Sequence, residues 1–162
     1  MGYELVIFDN DGVLVDSEPL ATTTPPGREL RPVPGVTEVL GELSALGLPY
    51  CVTSSSSRDQ IRAEHGASGM GEWFEEEWIF SAEDVGQGKP APDLFLHAAD
   101  MMGVAPERCV VVDAGPLGVQ AARAAGMAVL GFTSLVPAEQ LAGATACFGE
   151  MKELSALLGL GG

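Results

Sequence analysis

The feature that most restricts the fold of this chain is an alternation. Short runs of apolar, largely β-branched residues are each followed by a longer stretch with helical spacing. The runs fall at residues 4–8, 50–53, 78–80, 109–112, 128–131 and 146–148. Helical patterns lie near residues 37–46, 58–65, 92–102, 117–125, 138–141 and 150–158. Strands that alternate with helices predict a parallel sheet, and runs that are almost wholly apolar predict a sheet covered on both faces. The spacing therefore predicts an α/β fold, a doubly wound sheet flanked by helices. Pro34-Gly35 introduces the first helix, and Gly47 closes it as a natural left-handed cap. The segment 19–34, PLATTTPPGRELRPVP, does not share the rhythm. Each proline there removes a backbone donor and disfavours helix in the residue before it, so the segment reads as a linker or extended loop.

With 162 residues the chain has room for one sizeable core, and residues 1–162 are read as a single domain. Its 23 acidic and 8 basic residues give a net charge of −15. A surface of that sign repels nucleic acid and anionic membrane, which argues against both as partners. No apolar run is long enough to span a bilayer. The N-terminal YELVIF contains an acid and lacks the basic flank of a signal peptide, so cytoplasmic residence is the expectation. Cys51, Cys109 and Cys147 each sit in a short apolar run without metal-ligand spacing and are expected to be small buried hydrophobes. His65 and His97 lie in helical patterns and are expected on helix surfaces or in packing. Trp73, Phe74 and Trp78 could support a homo-oligomer, although aromatics so spaced usually belong to a core.

In open α/β sheets, ligands bind beyond the carboxyl ends of the strands. Polar groups stand at those ends here: Asp9-Asn10-Asp11 after the first run, Ser54 and Ser55 after the second, Lys89 after the third and Asp113 after the fourth. Such a set in one crevice suits phosphoryl transfer. A carboxylate can attack phosphorus only if the repulsion between two anions is offset, which a metal ion and a lysine can do. A second carboxylate two positions on can protonate the leaving oxygen and later activate water. Gly12 permits a sharp turn that aims backbone N–H groups at a phosphate. GQGK is not a phosphate loop of the Walker type, because the first glycine is missing and Pro90 stands where Ser or Thr belongs.

FDNDGVLVDSE resembles the first motif of the haloacid dehalogenase superfamily, in its β-phosphoglucomutase-like branch of small-molecule phosphatases. VTSSSS is similar to the second motif, GKPAPDLFLHAA to the third and VVVDAGPLGVQAARAAGM to the fourth. The resemblance implies a Rossmannoid core domain and a Mg²⁺-dependent phosphohydrolase. Asp9 would be the nucleophile and a metal ligand. Asp11 would be the general acid and base, with its backbone carbonyl on the metal. Ser54, with Ser55 and Gly12, would bind the transferring phosphoryl group, and Lys89 would neutralise it and the nucleophile. Asp113 matches the first acid of the fourth motif and would be a metal ligand. Asn10 occupies a variable position to which the resemblance assigns no role.

Two departures set this chain apart from that pattern. The fourth motif of the family has a second acid, and alignment on Gly118 puts Ala114 there. Neighbouring residues at a strand end point to opposite faces, so Asp113 does not replace the missing group, and weakened Mg²⁺ binding is expected. The helical cap of the branch would be inserted between Glu18 and Gly35, where only segment 19–34 stands. A capless crevice would admit phosphorylated small molecules or larger substrates, with sluggish turnover. Two alternatives are a pseudoenzyme that binds a phosphorylated ligand or protein partner, and a cap-deleted fragment.

Overall fold

The computed structural model describes residues 2–16 and 30–160. Among them is a six-stranded sheet of β1 (Leu5–Asp9), β4 (Tyr50–Ser54), β5 (Ile79–Ser81), β6 (Cys109–Asp113), β7 (Ala128–Phe132) and β8 (Ala146–Phe148). These are the six apolar runs read from the sequence. All neighbours are parallel, in the order β5-β4-β1-β6-β7-β8. The chain winds outward from β1 to β4 and β5, then crosses back to β6 on the other side of β1. That reversal makes the carboxyl end of β1 the switch point of the sheet, where a crevice opens.

Helices cover both faces, as the unbroken apolar strands require. On one face α1 (Val36–Leu46), α2 (Arg58–Ser68) and α5 (Lys152–Leu157) bury Val39, Leu40, Ile61 and Leu154 against Val6, Phe8 and Val110. On the other, α3 (Asp93–Met102) and α4 (Pro116–Ala124) bury Leu94, Phe95, Val119 and Ala122 against Leu5, Ile7 and Val111. Gly47 takes φ 70° at the end of α1 and its N–H reaches Leu43 O and Ser44 O, the capping role its position predicts. Residues 138–141 form a 3₁₀ turn (Ala138–Leu141), not an α-helix, because four residues after Pro137 are too few for i→i+4 bonds to propagate.

Two short strands were not expected. β2 (Val15–Asp16) pairs antiparallel with β3 (Arg31–Pro32), so the described end of segment 19–34 is tied to the chain leaving the first motif. Residues 19–29 of the linker lie outside the described residues. Cys51 and Cys109 are buried as expected, but Cys147 is exposed. It lies on β8, the edge strand, where Phe148 is buried in the core and Ala146 half-buried against it. His65 is a buried packing residue, with its ring against Phe74 at 5.5 Å between centroids. Trp73, Phe74 and Trp78 pack on or into the core.

Candidate active site

Strand register brings the two acids together. Phe8 pairs with Val112, so Asp9 and Asp113 leave adjacent strands side by side at the switch point. Lys89, from the loop before α3, reaches between them: its Nζ lies 2.6 Å from Asp9 Oδ1 and 2.8 Å from Asp113 Oδ2. All three side chains are nearly removed from solvent. The ammonium also stands 5.5 Å from the centre of the Phe95 ring, a favourable cation–π contact.

The charge balance of this cluster is uneven, because two carboxylates share one ammonium. Burial pushes the Asp9 carboxyl up from 3.8 to about 7, and the charges of Asp113 and Asp11 add to the rise while Lys89 opposes it. Burial alone would lower the Lys89 amine, but Asp9 and Asp113 outweigh it and hold Lys89 protonated well above its ordinary range. Burial thus leaves the ionised form of Asp9 poorly stabilised.

Asp113 is fixed from a further side. Its Oδ1 accepts the Gly115 N–H at 2.9 Å, at the start of α4. Its carboxylate lies over Gly118, where an added Cβ would come within 2.0 Å of Oδ2. Gly118 is therefore needed for a close approach and not for an unusual backbone angle. Gly118→Ala is expected to force Asp113 off Lys89, with a loss of about 1–3 kcal/mol of stability. Unchanged melting would show that the carboxylate has room to move.

The remaining predicted residues occupy the same rim in different ways. Asp11 forms a one-residue bridge with Val15 and is near enough to Asp9 for its charge to matter. Gly12 adopts φ +80°, the turn expected of it, but its N–H donates to Val15 O at 3.0 Å and its carbonyl accepts Ser134 Oγ at 2.7 Å. What Gly12 supplies is the turn. Ser54 follows Thr53, which pairs with Asp9; its hydroxyl is buried and accepts the Ser56 N–H at 3.0 Å. Ser55 is exposed just beyond.

Asn10 is the residue that the sequence reading undervalued. It is fully buried; its Nδ2 donates to Glu64 Oε1 at 2.8 Å and its Oδ1 meets His65 Nε2 at 2.9 Å. The signal was present in α2, where Ile61, His65 and Ser68 recur at helical spacing on the buried face.

The resemblance implies Mg²⁺, and the donor set can be weighed against it. In charge the site suits a cation, since Asp9 and Asp113 with Lys89 leave one negative charge over. In number the ligands are few: among the described residues no group of three or more His, Cys, Asp or Glu side chains is placed to hold a metal. Ala114 is buried within the α1-side cluster, facing away from Asp113 as the pleat requires. These residues fit a loosely held ion of the kind Mg²⁺ forms, with one or two carboxylates and several waters.

A protein-family profile described as haloacid dehalogenase-like hydrolase matches residues 25–126, more than half of the chain. The chain belongs to the haloacid dehalogenase-like hydrolase family. Among curated relatives, it is 38% identical to hexitol phosphatase A of Escherichia coli over 98 residues, 60% of this chain and 44% of that protein. It is 37% identical to 6-phosphogluconate phosphatase of Escherichia coli over 90 residues, 56% of this chain and 40% of that protein. The chain thus spans less than half the length of either. Among solved structures, a haloacid dehalogenase-like protein of Agrobacterium tumefaciens superposes with a TM-score of 0.82 at 30% identity, covering 98% of both chains. A family hydrolase of Deinococcus radiodurans with bound phosphate and sodium gives 0.85 at 26% identity, covering 96% of this chain and 95% of that one. Both of these curated relatives are phosphatases by name.

Proposed function

We propose that this chain is a slow, Mg²⁺-dependent phosphohydrolase that cleaves phosphate monoesters through an aspartyl-phosphate at Asp9. The observation that carries this reading is Lys89 held between Asp9 and Asp113 at 2.6 and 2.8 Å at the sheet's switch point. The fixed ammonium offsets part of the repulsion between the Asp9 carboxylate and an incoming phosphate, and a metal ion would offset the charge left over.

In the first half-reaction an Asp9 carboxylate oxygen attacks phosphorus, and the bond from phosphorus to the ester oxygen breaks. Asp11 gives its proton to the departing alkoxide, so the alcohol leaves neutral and Asp11 becomes a carboxylate. In the second, that carboxylate takes a proton from water as the water oxygen attacks phosphorus. The acyl-phosphate bond breaks, and Asp9 and phosphate are released with Asp11 again protonated. Lys89 offsets the charge on Asp9 and the phosphoryl oxygens throughout, while Ser54 and Ser55 orient the phosphoryl group. Mg²⁺, held by Asp9, Asp113 and the Asp11 carbonyl, would supply further charge neutralisation.

Slow turnover follows from Ala114 and from an open crevice. Segment 19–34 is too short to hold the cap of the branch, so selection of a small substrate is weak and larger phosphorylated molecules have access. With a net charge of −15, nucleic acid and membrane surfaces are not the partners of this enzyme, and the cytoplasm is its proposed location. The rival reading, binding of a phosphorylated ligand without turnover, is favoured by the same Ala114. Hydrolysis of p-nitrophenyl phosphate with millimolar Mg²⁺ separates the two. Asp9→Asn should reduce the rate roughly 10³-fold or more; a rate indifferent to that change would end the phosphatase reading.

A further inference from the structure

We propose that Asn10 is a positioning residue for the carboxylates on either side of it, clamped from α2 by Glu64 and His65. The functional part of this inference rests on the phosphatase reading, but the clamp itself is a property of the fold.

Every polar group of Asn10 is engaged. Its N–H donates to Thr53 O at 3.0 Å, and its carbonyl accepts the N–H groups of Leu14 and Val15, both at 3.1 Å. Its side chain bonds Glu64 and His65, 54 and 55 residues away. The direction of this chain of bonds is determined. A carboxylate only accepts, so the amide nitrogen of Asn10 faces Glu64 and its oxygen faces His65, which must donate from Nε2. That leaves His65 Nδ1 without a hydrogen, and it is a buried atom with no partner among the described residues. Burial lowers the His65 pKa to about 4, which keeps the ring neutral and agrees with that tautomer. Glu64 is held in turn, because Gln60 Nε2 donates to its Oε2 at 2.8 Å.

Burial raises the Glu64 pKa, Asp11 adds to the rise, and the Gln60 and Asn10 amides oppose it. A residue between two reacting carboxylates, with no freedom left in backbone or side chain, fixes where both of them start. An apolar residue of similar size would leave Glu64 Oε1 and His65 Nε2 without their Asn10 partner and free the turn, and misplacement of reacting groups by about an ångström costs up to ~100-fold in rate.

Asn10→Leu, Glu64→Gln and Glu64→Leu test this by two readouts. The first is amide hydrogen exchange of Asn10, Leu14 and Val15, referenced to Val110 in β6 so that global destabilisation cancels. The second is kcat and KM for an aryl phosphate with Mg²⁺. Asn10→Leu and Glu64→Leu should each speed exchange of the turn relative to β6 and lower kcat about tenfold or more with KM little changed. Glu64→Gln keeps an acceptor for Asn10 and should stay near wild type in both. If Asn10→Leu does not fold, the two Glu64 variants still decide. Exchange that follows β6 in every variant, or equal loss in Glu64→Gln and Glu64→Leu, would overturn the proposal. A wild-type chain without Asp9-dependent turnover would count against the phosphatase reading only, and the exchange arm would still judge the clamp.

Discussion

Lys89→Met should cost about 3–5 kcal/mol of stability at pH 8. Methionine keeps most of the apolar stem of the lysine, so the change removes charge with little loss of volume. What remains is Asp9 and Asp113 side by side, buried and without a counter-ion. Breaking a buried pair from one side is far costlier than losing a surface contact, because the abandoned charge stays in a poor solvent. The deficit also has a sign in pH. The Asp9 carboxyl is raised to about 7 by burial even with the ammonium present, and loss of Lys89 raises it further. A carboxyl whose folded pKa lies above its unfolded value takes up protons on folding, so its burden is greatest at high pH and is relieved as pH falls. Denaturant midpoints of the two proteins in chelator should therefore lie far apart at pH 8 and draw together toward pH 5. A gap under 1 kcal/mol, or one that does not vary with pH, would mean that Lys89 is a solvated lysine and not the partner of both acids. Hydrolysis should be lost in the same variant.

Ala114→Asp should give the largest gain. The position is buried and apolar, so without a divalent ion the new carboxylate is unpaired and destabilises the fold by roughly 1–3 kcal/mol. Addition of Mg²⁺ should reverse that. An ion that binds only the folded state adds RT ln(1 + [Mg²⁺]/Kd), about 2.7 kcal/mol at a hundredfold excess over Kd. The melting temperature of Ala114→Asp should then climb with Mg²⁺ while that of wild type moves little. Hydrolysis at millimolar Mg²⁺ should rise about 10- to 100-fold. If Mg²⁺ leaves both melting curves and both rates alike, the missing acid is not what limits this enzyme.

The parts of this account that the sequence made legible are those governed by short-range rules. Six largely apolar runs, the first four each followed by a polar residue, identify strands and mark the carboxyl ends that matter without knowledge of their order. Because parallel strands align those ends, Asp9, Lys89 and Asp113 had to share one rim, although Lys89 lies 80 residues from Asp9. The hidden parts depend on long-range partners. Nothing near Asn10 in sequence announces Glu64 and His65, although the Ile61–His65–Ser68 period on α2 shows that His65 faces inward. The pairing of Val15 with Pro32 has no local pattern, since two residues cannot display an alternation. Cys147 read as buried because its neighbours are apolar, yet an edge strand needs only one covered face. Gly118 stood out as an alignment point, but its closeness to Asp113 exists only once α4 has packed.

Whether Asp9 becomes covalently phosphorylated can be read directly. The enzyme is mixed with an aryl phosphate and Mg²⁺, quenched in acid, reduced with borohydride, digested and weighed. An acyl phosphate at Asp9 is reduced to homoserine, so the peptide with VIFDND should carry that mass change at residue 9. The same peptide unchanged in an enzyme that is visibly turning over, or a reduced residue elsewhere in the chain, would contradict the account.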